Sequence, residues 1–357
     1  LDLVRVADTN GNHHDHYRDH SPYRDWVIQA FNGNLPYDQF TKYQIAGDLY
    51  KNPTQEQLIA SGFNRLHLII DRGTALPEES HFKNVVDRVS AVCTAFMGLT
   101  LGCAVCHDHK YDPITQKDFY QMYAFFNNFD GAPETGGRGG PDFYRGLQPP
   151  YLDLPTEEQK VKLVDFDHQI KTTQEKVASL KQLQAATGIP AAPDETSQPN
   201  PNLKPQIPIT EKQISDLQKQ RSNYLRQVRG AMVMRERSEP KKTHIRVRGN
   251  YDQLGKEVTR NTPQFLPPLK KSAEVPSRMD LANWLVEKQN PLTARVAVNR
   301  FWQQLLGTGL VKTSEDFGAQ GMWPSHPRLL DQLTLQFVES GWDVKKLMKD
   351  IVLTQTY

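Results

Sequence analysis

The feature that most constrains this chain is the segment LGCAVCHDHKYDP, in which Cys103 and Cys106 enclose two small residues and His107 follows at once. Two thiols on one turn beside an imidazole can attach a haem covalently, with the imidazole as an iron ligand. The same residues can instead grip another metal ion or form a redox or structural disulfide. The motif therefore requires a turn that presents both thiols, and it leaves three kinds of site open.

The remaining cysteine and the histidine that follows the motif help to distinguish these three kinds of site. Structural zinc needs further Cys or His ligands at matching spacing, yet the chain has only three cysteines. The third, Cys93, lies in the apolar stretch SAVCTAFMGL and is predicted to be a buried, inert thiol. His107 and His109 could complete a metal-ligand set with the two cysteines, but so short a run would strain tetrahedral coordination. A thioredoxin-like pair needs a helix that opens at the first cysteine, whereas here a helix is predicted to end at Gly102.

Composition excludes several classes of protein. The 357 residues carry 43 basic and 41 acidic side chains, a net charge of +2 that provides no overall field for nucleic acid. No apolar run approaches the roughly 18 residues of a membrane span, so no span is expected. The chain opens without Met or a signal segment, which indicates a mature or partial chain with residues missing at both ends.

Apolar periodicity predicts a mainly α fold in three parts. Residues 1–150 form a helical domain in which two amphipathic helices flank the cysteine motif. Thr54 with Gln57, and Thr115 with Asp118, are typical of helix starts. Heptad-like spacing over 156–186 and 210–233 predicts a coiled-coil-like helical hairpin arm within 151–240, with a proline-rich, non-helical tip at 187–208. Such an arm can dock a partner.

The third part, residues 241–357, is predicted to be mostly helical with one small β-hairpin. Alternation over 244–248, a turn at Gly249–Asn250 and resumed alternation near Val258 indicate the hairpin. Its basic residues fit a solvated strand face better than a phosphate site. Ser277 is a helix cap, and further helices extend from there to the end of the chain.

The chain also resembles the planctomycete-type cytochrome c proteins, which join a cytochrome-like domain to a C-terminal domain of unknown function. The resemblance rests on the following stretches: YRDWVIQAFNGNLPYDQFTKYQIAGDL, LIASGFNRLHLIIDRG, GLTLGCAVCHDHKYDPITQKDFYQMYAFFNN, NPLTARVAVNRFWQQLLGTGLVKTSEDFGAQGMWPSHPRLLDQL and FVESGWDVKKLMKDIVLTQTY. It implies one covalent haem c, export across the cytoplasmic membrane to the periplasm or another extracytoplasmic place, and an upstream haem domain missing here.

The resemblance assigns His107 as the proximal ligand of the haem iron and leaves the distal ligand open. His67, in NRLHLI, sits where the family pattern often keeps a histidine, and it is the leading distal candidate. Met97, on the helix before the motif, is the alternative, although an apolar core methionine explains it as well. The histidines in NGNHHDHYRDH fit a solvated polar loop; they are His13, His14, His16 and His20. Asp8, Asn10 and Asn12 are spaced like a calcium loop but lack its completion, so an additional calcium ion is a weak expectation.

The expected function is therefore electron transfer by an exported c-type haem protein whose partners are redox proteins, other haem domains or subunits. One alternative is a haem-dependent oxidoreductase that acts on extracellular carbohydrate or peroxide. Another is a metal-stabilised scaffold or docking protein. The axial pair decides between the first two, because a filled sixth position favours electron transfer and an open one favours chemistry.

Overall fold

The computed structural model describes residues 1–9, 11, 15–67, 76–131, 145–186 and 206–355, with only the backbone given for 184–186. The fold is mostly helical, as predicted, with two small antiparallel sheets of two strands each. The helices are α1 (Ser21–Asn32), α2 (Tyr37–Ala46), α3 (Gln55–Ala60), α4 (Pro77–Val92), α5 (Gln116–Phe126), α6 (Glu157–Ala186), α7 (Gln206–Leu225), α8 (Arg278–Leu285), α9 (Thr293–Leu306), α10 (Pro327–Glu339) and α11 (Val344–Val352). The strands are β1 (Tyr151–Leu154), β2 (Arg229–Met232), β3 (Thr243–Arg246) and β4 (Leu254–Val258).

Two compact units divide the chain. Unit 1 consists of Leu1–Leu152 together with Ala231–Tyr357, and unit 2 is the continuous segment Asp153–Gly230. The segments predicted as the first and the third domain therefore both contribute to unit 1. The described helices include none that is long and apolar enough to cross a membrane.

Aromatic packing joins the two segments of unit 1. Trp26 of α1 stacks on Phe40 of α2, with ring centroids 5.2 Å apart. Tyr37, at the start of α2, packs on Phe301 of α9 and on Phe337 of α10, each with centroids 6.0 Å apart. Because burial of aromatic surface is a major stabilising term, α9 and α10 belong to the same core as α1 and α2.

The helix starts agree with the sequence signals. Thr54 accepts a hydrogen bond from the Gln57 amide while the Gln57 side chain accepts one from the Thr54 amide. Thr115 and Asp118 form the same reciprocal pair at α5. Each pair satisfies backbone N–H groups that a helix leaves without an internal partner.

Unit 2 is an antiparallel helical hairpin. Arg221 of α7 donates two hydrogen bonds to Asp167 of α6, at 2.7 and 3.2 Å. Lys181 of α6 lies 2.9 Å from Glu211 of α7, so later residues of one helix pair with earlier residues of the other. The predicted helical hairpin is therefore present, and most of its proline-rich tip lies outside the described residues.

The bounds of this hairpin differ from the prediction in two places. α7 begins at Gln206, so Pro208 lies inside its first turn rather than in a non-helical tip. Proline is tolerated there because the first amides of a helix have no internal acceptor. α7 also ends at Leu225, and residues 229–232, predicted as helix, form β2. Three consecutive residues of this strand are buried, and so short a buried run fits a helix or a strand equally well.

The helix that leads to the cysteine motif also ends earlier than predicted. α4 gives way to a π-helical turn over Cys93–Met97, which stops at Gly98 with a φ of +58°. Only glycine adopts this left-handed conformation freely. A Cβ on Gly98 would also lie 2.8 Å from the Phe317 ring. The predicted end at Gly102 was therefore wrong, and that glycine instead begins a separate 3₁₀ turn.

Candidate functional site

The two motif cysteines lie on one side of a short turn. A 3₁₀ helix covers Gly102–Val105, and Cys106 follows it with a backbone N–H bonded to the Cys103 carbonyl. Because a 3₁₀ helix has three residues per turn, side chains three positions apart point the same way. Cys103 and Cys106 are both exposed free thiols, whereas Ala104 between them is fully buried. The spacing of the motif thus becomes a pair of thiols that faces solvent.

Hydrogen bonds from α5 hold this turn in place and connect it to the hairpin of β3 and β4. Tyr120 of α5 donates a hydrogen bond of 3.0 Å from its hydroxyl to the Val105 carbonyl. Gln116, at the start of α5, donates from Nε2 to the same carbonyl at 3.0 Å and to the Arg246 carbonyl at 3.2 Å. The Gln116 side-chain amide therefore connects the cysteine turn to β3, and the position of the turn depends on both α5 and β3.

A glycine lets the hairpin reach the second thiol. Gly249, in the loop between β3 and β4, has a φ of +74°, and a Cβ at this position would lie 2.7 Å from Cys106 Sγ. Any other residue would meet the sulfur and would be strained in this conformation. The predicted turn at Gly249–Asn250 is confirmed, and it serves to bring backbone against Cys106.

The two histidines of the motif are held in opposite tautomers. The Nδ1 atom of His107 lies 2.7 Å from the Asp108 carbonyl oxygen. A carbonyl only accepts, so Nδ1 carries the proton and the exposed ring keeps the Nε2 lone pair for a ligand. His109 instead accepts at Nδ1 from the Asp112 amide, 2.9 Å away. Its proton therefore lies on Nε2, and its only lone pair is used inside the fold.

Burial separates the distal-ligand candidates from the motif. His107 is exposed, while His67 is 2% exposed and Met97 is fully buried at the end of the π-helical turn. The backbone carbonyl of His67 accepts a 2.6 Å hydrogen bond from Arg18. Both candidates face the interior of unit 1, so distal ligation by either of them stays a prediction.

The remaining candidates fall in the N-terminal loop, which the structure describes only in part. His13, His14, Asn10 and Asn12 lie outside the described residues, so the calcium expectation is not tested. His16 is half-buried and His20 is buried just before α1. In the described ranges, no group of three or more His, Cys, Asp or Glu side chains could hold a metal ion.

One charged residue beside the motif was missed by the sequence reasoning. Arg246 of β3 is half-buried, and in the part of the chain that the structure describes its enclosed Nε has no hydrogen-bond acceptor. Burial raises the pKa of Tyr120, and the nearby positive charge of Arg246 opposes that rise. Burial and the charges of Arg246 and Arg237 lower the pKa of Lys241. Arg246 is therefore half-buried near Tyr120, whereas Arg248 and Lys256 of the hairpin are exposed, as the predicted solvated strand face requires. Only the tertiary packing of β3 on α5 reveals this.

The C-terminal part of unit 1 forms hydrogen bonds with the segments before and after the motif. Before the motif, Arg300 of α9 donates to the carbonyls of Ala95 and Thr94, at 2.6 and 2.7 Å, and so caps the π-helical turn. After the motif, the Asp112 Oδ1 atom accepts a 2.6 Å hydrogen bond from the Ala319 amide. These bonds satisfy backbone groups at a helix end and in a loop. The segments 94–112 and 300–319 are therefore one structural assembly.

Comparison with known proteins identifies two domains. Residues 1–131 match the family model PSCyt2, described as a protein of unknown function (DUF1549), and residues 277–357 match PSD1, described as a protein of unknown function (DUF1553). The comparisons with curated proteins and with solved structures gave no match. The chain therefore carries a DUF1549 domain and a DUF1553 domain, the pair found in planctomycete cytochrome c-type proteins.

Proposed function

We propose that this chain is an exported c-type haem protein that transfers electrons, with one haem attached through Cys103 and Cys106. The observation that carries the proposal is the pair of exposed, free thiols on one side of a 3₁₀ turn, followed directly by His107. Exposed free cysteines are uncommon in stable proteins because they oxidise readily, so a pair of them needs an explanation. Conversion of both to thioethers provides one.

The residues present fit this group. His107 keeps its Nε2 lone pair outward because the Asp108 carbonyl holds the proton on Nδ1, which is the arrangement of a ligating histidine. Arg246 supplies an enclosed positive charge beside the turn, suited to a ligand that carries carboxylates as haem does. Haem would supply one-electron chemistry at this place. The chain's own residues would bind the group, orient it and place its edge at the surface of unit 1.

An extracytoplasmic location belongs to the same proposal. It rests on the pairing of the two domains with the cytochrome c-type proteins and on the composition of the motif. Redox proteins or further haem domains are the partners that this function requires. The exposure of Cys103, Cys106 and His107 supports direct access for such a partner.

The test is expression of the chain with a c-type maturation system, followed by pyridine haemochrome spectroscopy and peroxidase staining of a denaturing gel. We expect a stained band at the size of the chain, lost in Cys103→Ala and in Cys106→Ala. Cys93→Ala is the matched control, because this third cysteine is buried, and burial raises the pKa of its thiol. The control should keep the stained band. A band that survives Cys103→Ala, or wild-type protein with no Soret absorption, would refute the attachment.

The tautomers of the two histidines provide a second, sharper comparison. His107→Ala should keep the thioether-bound band but change the spin state, because the proximal imidazole is gone. His109→Ala should keep the wild-type spectrum, since the lone pair of that side chain already accepts a hydrogen bond from the Asp112 amide. A spectral change in His109→Ala alone would reverse the assignment. A low-spin wild-type spectrum that resists cyanide favours electron transfer, and a high-spin one that binds it favours the oxidoreductase alternative.

A further inference from the structure

A cavity lies in unit 1, next to the segment that follows the cysteine motif. It has a volume of about 670 Å³ and is bounded by Leu99 and Pro113 on one side and by α9, α10 and the loop between them on the other. Ligand sites in proteins commonly have volumes of about 300–1,000 Å³. The cavity is therefore large enough for a ligand of more than one ring.

The rim of this cavity carries an exposed tryptophan. Trp323 is 92% exposed, whereas the other four tryptophans of the chain are at most 8% exposed. Met322 and Phe265, also on the rim, are 52% and 39% exposed. Large apolar side chains at a concave surface typically mark a binding site, because leaving them in water is unfavourable. The rim thus offers a flat apolar face to a ligand.

The lining also contains a partly exposed pair of opposite charges. Arg295 of α9 donates from Nε and Nη2 to Asp331 Oδ1, at 2.9 and 2.6 Å, and from Nη1 to the Pro291 carbonyl at 2.7 Å. Both bonds reach Oδ1; among the described residues none reaches Oδ2, and the Asp331 side chain is 53% exposed. A guanidinium that already makes three hydrogen bonds and a partly exposed carboxylate therefore stand side by side.

The charge of the lining narrows the class of ligand. Arg295 is neutralised by Asp331, and the third charged group, Asp112, is 93% buried and bonded to the Ala319 amide. An anion such as phosphate would find no unpaired cation here, and a wholly apolar ligand would leave the exposed ion pair unused. A neutral ligand with flat apolar faces and several hydroxyl groups matches both parts of the lining.

We propose that this cavity binds a neutral carbohydrate, which stacks on Trp323 and forms hydrogen bonds with Arg295 and Asp331. The sugar ring would lay its C–H face on the indole, and adjacent hydroxyls would accept from the guanidinium and donate to Asp331 Oδ2. The proposal does not depend on the haem, since Trp323, Arg295 and Asp331 lie outside the turn that carries Cys103, Cys106 and His107. It adds a binding activity to the proposed electron-transfer function.

The experiment uses intrinsic fluorescence of the full chain. Because Trp323 is the single exposed tryptophan of the five, a ligand that covers it should shift the emission to shorter wavelength and protect it from acrylamide quenching. The probes are neutral trisaccharides of glucose, xylose, mannose and N-acetylglucosamine. We expect at least one to produce a saturable shift, with affinity confirmed by calorimetry.

Matched variants decide between the cavity and the rest of the surface. Trp323→Ala should abolish calorimetric binding, whereas Leu335→Ala, which removes an exposed side chain (62%) outside the lining, should not. Asp331→Asn should weaken binding about tenfold, the effect of losing one charge-assisted hydrogen bond. Asp350 forms an exposed ion pair with Lys346 on α11, and Asp350→Asn should leave the affinity for the sugar unchanged.

Three results would overturn the proposal. The first is the absence of binding by every trisaccharide to wild-type protein that is folded by circular dichroism. The second is unchanged affinity in Trp323→Ala. The third is a shift caused by a proline-rich peptide but by none of the sugars, which would make the cavity a peptide site. Loss of haem attachment in Cys103→Ala with sugar binding retained would separate this proposal from the haem proposal.

Discussion

Two arginine–aspartate pairs, one in each unit, make the most instructive comparison in this molecule. Arg278 donates to both carboxylate oxygens of Asp48 at 2.9 and 2.6 Å, and the two side chains are only 1% and 5% exposed. In the arm, Arg221 donates to both oxygens of Asp167 at 2.7 and 3.2 Å, with exposures of 34% and 57%. Both pairs are bidentate arginine–aspartate pairs, and their main difference is burial.

Burial changes what each pair does. Arg278 also donates to Glu236 and to the Ile45 carbonyl, so one guanidinium connects α8 to the end of α2 and to the chain after β2. Burial alone would lower the pKa of Arg278, but the carboxylates of Asp48 and Glu236 raise it above its usual value. The buried pair therefore fixes where elements meet, whereas water screens the pair in the arm and lets it exchange.

The largest expected effect is that of Arg278→Ala. It leaves the buried Asp48 without its cation and Glu236 with Arg260 at 3.8 Å, and should lower the free energy of unfolding of unit 1 by about 3–5 kcal/mol. All five tryptophans lie in unit 1, so the midpoint of urea unfolding followed by fluorescence measures this unit alone. A loss below about 1 kcal/mol would show that the buried pair behaves like the exposed one, and the comparison would fail.

A smaller, pH-dependent effect is expected at the start of α8. Burial raises the pKa of Asp280, but hydrogen bonds from Ser272 and Ser277 outweigh it, so the folded-state pKa is lowered. The carboxylate therefore stabilises the folded protein above its unfolded pKa of about 3.9, and this contribution disappears as the pH falls through the lower folded value.

Asp280→Asn tests this sign directly. The variant should lose about 1 kcal/mol at pH 7 and progressively less below pH 4, because the wild-type carboxylate is then protonated as well. Urea unfolding by fluorescence at several pH values measures the difference. Ser272→Ala should give a smaller loss, because it keeps the backbone hydrogen bonds that the Ser272 and Ser277 amides donate to the Asp280 carboxylate. A difference between wild type and Asp280→Asn that grows on acidification would contradict the assignment.

The smallest effect is expected from Arg221→Ala. The pair that it removes is exposed, so the free energy of unfolding of the arm should change by less than about 1 kcal/mol, and high salt should erase the difference. Helical circular dichroism reports this change, since unit 2 contains no tryptophan. A loss as large as that of Arg278→Ala would mean that geometry rather than burial sets the strength of these pairs.

Much of the fold was predictable because its signals are local. The reciprocal caps of Thr54 and Thr115 and the glycine turn at Gly249 depend on residues within a few positions of each other. The errors occurred where local signals conflict. Pro208 was read as a helix breaker although its first-turn position removes the penalty, and Gly98, rather than Gly102, ends the helix before the motif.

The candidate site was predictable only as a set of residues. The sequence fixes that Cys103, Cys106 and His107 are adjacent, and their spacing predicts a common turn. It does not show that Arg246, about 140 positions later, lies beside that turn, because this depends on the packing of β3 against α5. The exposure of Trp323 was likewise not predicted, because whether a tryptophan is buried depends on the segments that the fold brings around it.

The sequence by itself determined the mainly helical architecture, the helical arm and the residues of the cysteine motif, because periodicity, caps and spacing act over a few residues. Tertiary structure alone decided that the motif thiols face solvent and that Arg278 is buried while Arg221 is not. Each of these depends on which atoms from distant segments approach to hydrogen-bond distance, and on how much water that approach excludes.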